Sequence, residues 1–105
     1  MTPVETVCKH LPAPELLAQL AEEAAELAQA ALKLRRAIDG TNWTPKTLQE
    51  CKEALAEEIA DVEGVLLAMD YAVPLVDYDR VHTVQNIKMA RWAKRLEEHH
   101  ANDKR

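Results

Sequence analysis

The chain has 105 residues, a formal net charge of −5, 48% hydrophobic residues, two Gly and no Phe. That length fits one domain, and the acidic balance argues against a nucleic-acid polymer as partner. No run approaches the roughly 20 apolar residues of a spanning helix, and residues 1–14 carry no apolar signal-peptide core, so neither a membrane nor export is expected.

Ala is abundant while β-branched and aromatic residues are scarce, which favours helices over strands. Cys8 and Cys51 are far apart and have no Cys or His at metal-binding spacing. They read as reduced thiols, most simply in the core, and point to a cytoplasmic setting. The expected class is all-α: an antiparallel helical bundle of three main helices over about 14–38, 45–72 and 78–99, in a single domain over 1–105.

Residues 1–13 form a weakly defined N-terminal segment. Val4, Val7, Cys8 and Leu11 have helical spacing, so a short helix is possible before Pro12 and Pro14. Pro14 suits a first helical turn. From there Leu16, Leu20, Ala24, Leu27, Ala31, Leu34 and Ile38 recur at steps of three and four. Asp39-Gly40 ends this helix, since Gly can take the left-handed capping conformation. Thr44 is the expected N-cap of the next helix, with Pro45 at its first position. Leu48, Cys51, Leu55, Ile59, Val62, Leu66, Met69 and Val73 form its stripe, and Pro74 ends it. Asp77 caps the third helix, whose stripe of Val81, Val84, Lys88, Trp92 and Arg95 turns from apolar to cationic. Residues 100–105 are expected to fray.

Two acidic clusters stand inside these apolar patterns: Glu22-Glu23-Ala24-Ala25-Glu26 and Glu57-Glu58-Ile59-Ala60-Asp61. At about 100° per residue, Glu23 falls at the edge of the first stripe, Glu26 flanks it and Glu22 lies further out. Glu58 falls on the apolar side of the second helix, Asp61 flanks it and Glu57 is solvated. An antiparallel hairpin pivoting near Asn42 sets Glu23 level with Asp61 and Glu26 level with Glu58. Four converging carboxylates repel one another unless cations join them. Hard oxygen ligands of this kind favour Mg²⁺, with Mn²⁺ as a substitute. A second turn near Leu75 brings residues 89–92 to the same level. Lys88, Arg91 and Arg95 then supply cations within one arc of about 60°, suited to a polyphosphate.

Plainer readings stand beside these. Glu-rich segments are commonly solvated helix faces or coiled-coil flanks. Cations near a helix C-terminus complement its dipole or enter salt bridges. Trp43 reads as packing on the hairpin end, and Trp92 as core or subunit interface. The whole chain could also be a non-enzymatic helical interaction module.

The two clusters, an EExxE element followed by ExxD, resemble the all-α nucleoside triphosphate pyrophosphohydrolases of the MazG-like superfamily. So do the surrounding Glu26-Leu27-Ala28-Gln29-Ala30 and the cationic Asn86-Ile87-Lys88-Met89-Ala90-Arg91. The similarity spans about residues 14–98, with a longer gap between the two motifs than the family's usual pattern. It implies Mg²⁺-dependent hydrolysis of a nucleoside triphosphate to the monophosphate and pyrophosphate, a nucleotide-pool house-cleaning role. Glu23, Glu26, Glu58 and Asp61 would be metal ligands. Glu22 would orient or deprotonate the attacking water, and Lys88, Arg91 and Arg95 would hold phosphates. The family also implies homodimers or homotetramers that complete the bundle, and it includes relatives acting on phosphoribosyl-ATP, dUTP or dCTP.

Overall fold

The computed structural model describes residues 1–41, 43–72 and 75–103. Among these residues there are four helices and no strand: α1 (Pro3–His10), α2 (Ala13–Asp39), α3 (Leu48–Ala72) and α4 (Tyr78–Asp103). The all-α expectation holds. The expected hairpin pivot at Asn42, the stripe position of Val73, the helix stop at Pro74 and the last two residues of the tail lie outside the described residues. No helix among the described residues is long and apolar enough to cross a membrane.

The chain divides into two compact units, Met1–Leu75 and Val76–Arg105. In the first, α2 and α3 pack as an antiparallel hairpin and α1 packs on α3. Leu16, 1% exposed, meets Ala68 and Met69 near the open end of the hairpin. Val4, Cys8 and Leu11 close over that cluster. The N-terminal segment is therefore a formed helix, capped by the Thr2 hydroxyl, which accepts from the Glu5 N–H at 3.3 Å. Cys8 donates its thiol to the Ala68 carbonyl at 3.3 Å, and Cys51 is buried. Both cysteines are thiols, with packing roles.

Helix ends follow local chemistry. Gly40 closes α2 at φ 68°, its N–H bonded to the Arg36 carbonyl at 2.8 Å. Helix α3 begins three residues later than Thr44-Pro45 suggests. Thr47 accepts the Glu50 N–H at 3.1 Å while Glu50 accepts the Thr47 N–H at 3.0 Å. That reciprocal pair satisfies two helix-end donors at once, and it outcompetes a start at Pro45. In the second unit, Asp77 caps α4 by accepting the Arg80 N–H at 3.2 Å. Helix α4 runs on to Asp103, so the expected frayed tail is helical through residues 100–103.

The buried stripe of α2 differs from the expected one. Leu16, Leu20, Glu23, Leu27, Ala30, Leu34 and Ala37 form a buried or half-buried line, with Ala13, Gln19 and Arg36 half-buried beside it, whereas Ala24, Ala31 and Ile38 are exposed, Ile38 by 67%. The observed steps alternate four and three, the 3.5-residue repeat of a coiled-coil seam. Helix α3 does the same with Cys51, Leu55, Glu58, Val62, Val65 and Met69, leaving Ile59 exposed. Each seam contains one glutamate.

Candidate metal centre

Glu23 and Glu58 sit in the α2–α3 seam because they fall at seam positions of a 3.5-residue repeat whose other members are apolar. Glu26 and Asp61 each follow three residues later, about 60° around the helix, on the flank of the seam. The two triplets, Glu22-Glu23-Glu26 and Glu57-Glu58-Asp61, share one spacing. In an antiparallel pair that spacing brings both flanking carboxylates to the same side of the hairpin. Glu23, Glu26, Glu58 and Asp61 each offer one carboxylate oxygen, and these oxygens all lie within 4.8 Å of one another. The four residues nominated as ligands are thus brought together.

Two of their oxygens are orphaned. Oε2 of Glu23 and Oε2 of Glu58 are buried without a hydrogen-bond partner. A buried carboxylate oxygen left so is costly, because water has been stripped away and nothing replaces it. The other oxygen of Glu23 accepts from Gln19 Nε2 at 2.7 Å, which fixes the carboxylate's orientation. The electrostatics carry the same strain. Glu26 is pushed above the ordinary carboxylate range by the charge of Glu23 first, then by Glu58, with burial adding to both.

The donor set suits a hard divalent cation. Around one Mg²⁺ at about 2.1 Å, two ligand oxygens stand at most about 4.2 Å apart. The 4.8 Å spread therefore needs only a small closing movement of carboxylate rotamers. All donors are carboxylate oxygens, with no thiol or imidazole among them, which favours Mg²⁺ or Mn²⁺ over softer metals.

Glu22 is exposed and lies outside the group of four, one helical turn before Glu26 on α2. Lys88, Arg91 and Arg95 belong to the second unit, where they share one face of α4 with Gln85, Met89 and Trp92. Trp43 is 86% exposed, so it does not pack on the hairpin end. Trp92 is 55% exposed, outside any core of the described residues.

Three polar residues near the carboxylates escape the sequence reading. Gln19 holds Glu23, and its signal is the i,i+4 spacing on α2. Lys33 and Lys46 line a cleft between α2 and α3 together with Glu26, Gln29 and Glu58. Lys33 carries a signal too, seven residues and so two turns after Glu26 on one line of the helix. Lys46 carries none, since a lysine in a connecting segment is ordinary. Comparison of the chain with protein-family models, with curated proteins and with solved structures gave no match.

Proposed function

We propose that the four-carboxylate group holds divalent metal, Mg²⁺ or Mn²⁺, and that the protein hydrolyses a nucleoside triphosphate to the monophosphate and pyrophosphate. The observation that carries this reading is the pair of buried, unpartnered oxygens on Glu23 and Glu58 within a group of four carboxylates. A proton held by Glu26 serves one of those oxygens at a time, whereas a cation offsets all four carboxylates together. The step from metal to nucleotide rests on the resemblance of the two acidic motifs to the MazG-like pyrophosphohydrolases.

In the proposed reaction the oxygen of water bonds to the α-phosphorus. The bond from that phosphorus to the bridging oxygen breaks, and its electron pair leaves with pyrophosphate. Metal in this site would polarise the phosphoryl oxygens, offset the leaving group's charge and lower the pKa of the attacking water. Glu23, Glu26, Glu58 and Asp61 act as ligands, and Gln19 orients Glu23. Glu22, one turn before Glu26 and free of the ligand group, accepts the proton of the attacking water. Lys88, Arg91 and Arg95 are the cations that the resemblance assigns to phosphate.

Pyrophosphate release from a panel of ribo- and deoxynucleoside triphosphates, with and without Mg²⁺, tests the reading. Metal-dependent release is expected. Bound metal with no turnover of any nucleotide would remove the enzymatic assignment. Glu22→Gln is expected to lose turnover yet keep Mn²⁺ affinity, which separates a base from a ligand.

A second reading, self-association, has its own observation. Helix α2 carries another line of Leu17, Ala21, Ala24, Ala28, Ala31 and Ile38, all exposed and apolar, with Arg35 interrupting it before Ile38. On α4, Met89, Trp92 and Leu96 are more than half exposed at steps of three and four. A bundle completed by a second copy would cover such lines. The two readings are compatible, and only a Mg²⁺-insensitive, catalytically silent protein would leave the interaction module alone.

A further inference from the structure

We propose that the cleft beside the carboxylates, on the side nearer the α2–α3 connection, is the subsite for the phosphate chain, with Lys33 and Lys46 as its charge partners. This rests on the metal reading above and extends it to a phosphate site within the first unit, independent of the cations on α4. Glu26 and Glu58 form one part of the cleft's lining, Lys33 and Lys46 another, with Gln29 as a further polar group. An anion bridging metal and ammonium groups needs that order: cation-loaded carboxylates at one end, positive side chains at the other.

The geometry favours this use of Lys33. It follows Glu26 by seven residues, on the same line of α2 and about 10 Å along the axis. Helical side chains lean toward their own N-terminus, so Lys33 leans toward Glu26. Helix α3 runs the other way, and Glu58 leans toward the hairpin connection for the same reason. Lys46 comes from that connection and lines the same cleft. Both lysines are exposed, and among the described residues neither makes an ion pair within 4.0 Å. Lys46 acts electrostatically on Glu50 at a distance, as a minor contributor to that carboxylate's lowered pKa. Their ammonium groups are available to a ligand. Three or four negative charges of a polyphosphate, partly offset by metal, are the chemistry that two lysines on one cleft recognise.

Calorimetric titration of the whole chain tests this, first with Mn²⁺ alone and then with inorganic pyrophosphate in saturating Mn²⁺. The double variant Lys33→Ala/Lys46→Ala is expected to take Mn²⁺ with unchanged affinity and to bind pyrophosphate at least about tenfold more weakly. Each single variant is expected to fall between. Lys33→Arg/Lys46→Arg should restore much of the loss, and added salt should weaken the wild type more than the double variant. Circular dichroism checks that the exposed substitutions leave the helices intact. If the double variant holds pyrophosphate as tightly as wild type, or if Lys88→Ala/Arg91→Ala alone removes binding, the subsite is overturned and the metal centre stands. Wild type that takes Mn²⁺ but no pyrophosphate has the same consequence. Wild type that takes no Mn²⁺ overturns the metal centre and this subsite with it.

Discussion

Glu23 and Glu58 occupy positions where a coiled-coil seam ordinarily carries an apolar side chain, and this substitution costs stability in the metal-free chain. Their unpartnered oxygens have lost water, and four carboxylates repel across less than 5 Å. Glu58→Gln keeps the volume, removes one charge and adds an amide that can donate to Glu23 or Glu26. In the absence of metal, that variant is expected to melt higher than wild type. Relief on the order of 1 kcal/mol corresponds to roughly 4–8 °C for a domain of this size. Its Mn²⁺ affinity should collapse, and the Mg²⁺-induced rise in melting temperature should disappear with it. A Glu58→Gln protein that melts lower and still responds to Mg²⁺ would remove this residue from the site. Gln19 is expected to matter indirectly, because it holds the ligand oxygen pair of Glu23 in one orientation. Gln19→Ala should weaken Mn²⁺ binding by roughly 10-fold, the lower end for an outer partner of a ligand. Calorimetry reads that directly.

The start of α3 shows how a single local pair sets an element. Thr47 and Glu50 cap each other, and the bond from the Thr47 N–H is the main cause holding Glu50 below the ordinary carboxylate range. Thr47→Ala is expected to cost about 1 kcal/mol, read from chemical denaturation. The pH dependence follows from the sign of the Glu50 shift. Its folded pKa lies below the unfolded value near 4.5, so its contribution is present above that pH and is lost as pH falls through the folded value. The gap in melting temperature between wild type and Glu50→Ala should therefore be open at pH 7 and narrow on acidification below 4.5. The Thr-x-x-Glu pattern was legible in the sequence, yet Thr44-Pro45 is an equally ordinary start signal and only the formed bonds decide between them. The four ligand candidates were legible because spacing alone puts Glu23 with Glu58 and Glu26 with Asp61 on converging faces. The seam was harder. Ala fills so many positions of α2 that two neighbouring heptad lines look equally apolar, and the expected stripe mixed Leu16, Leu20 and Leu27 from one with Ala24, Ala31 and Ile38 from the other. Lys46 was not legible as a site residue, since nothing in a sequence distinguishes a cleft lysine from a solvated one, and the one signal of Lys33 was its place two turns beyond Glu26 on the same line of α2.

At the scale of the whole molecule, the second of those lines becomes the informative one. One line of α2 is used against α3, while Leu17, Ala21, Ala24, Ala28, Ala31 and Ile38 remain exposed about 100° away. Among the described residues the buried apolar side chains are Leu16, Ala30, Cys51, Ala68 and Met69, a small core for a chain of this length. A helix with apolar residues on two sides is ordinarily buried on two sides. Small residues along the exposed line permit a close helix–helix approach, so a second copy is the expected cover. Ala28 sits in the middle of that line, away from the carboxylate seam, and Ala28→Glu places a charge there without touching α3. By light scattering, wild type is expected at a multiple of the 11.8 kDa chain mass and the variant at a lower multiple. Helix content by circular dichroism should be unchanged. Mn²⁺ affinity should also persist, because all four proposed ligands come from one hairpin. If turnover nevertheless falls in the dissociated variant, the substrate site draws on a neighbouring subunit. Wild type that runs as a single chain across the micromolar range would show that this line faces water and that the exposed alanines serve helix propensity alone.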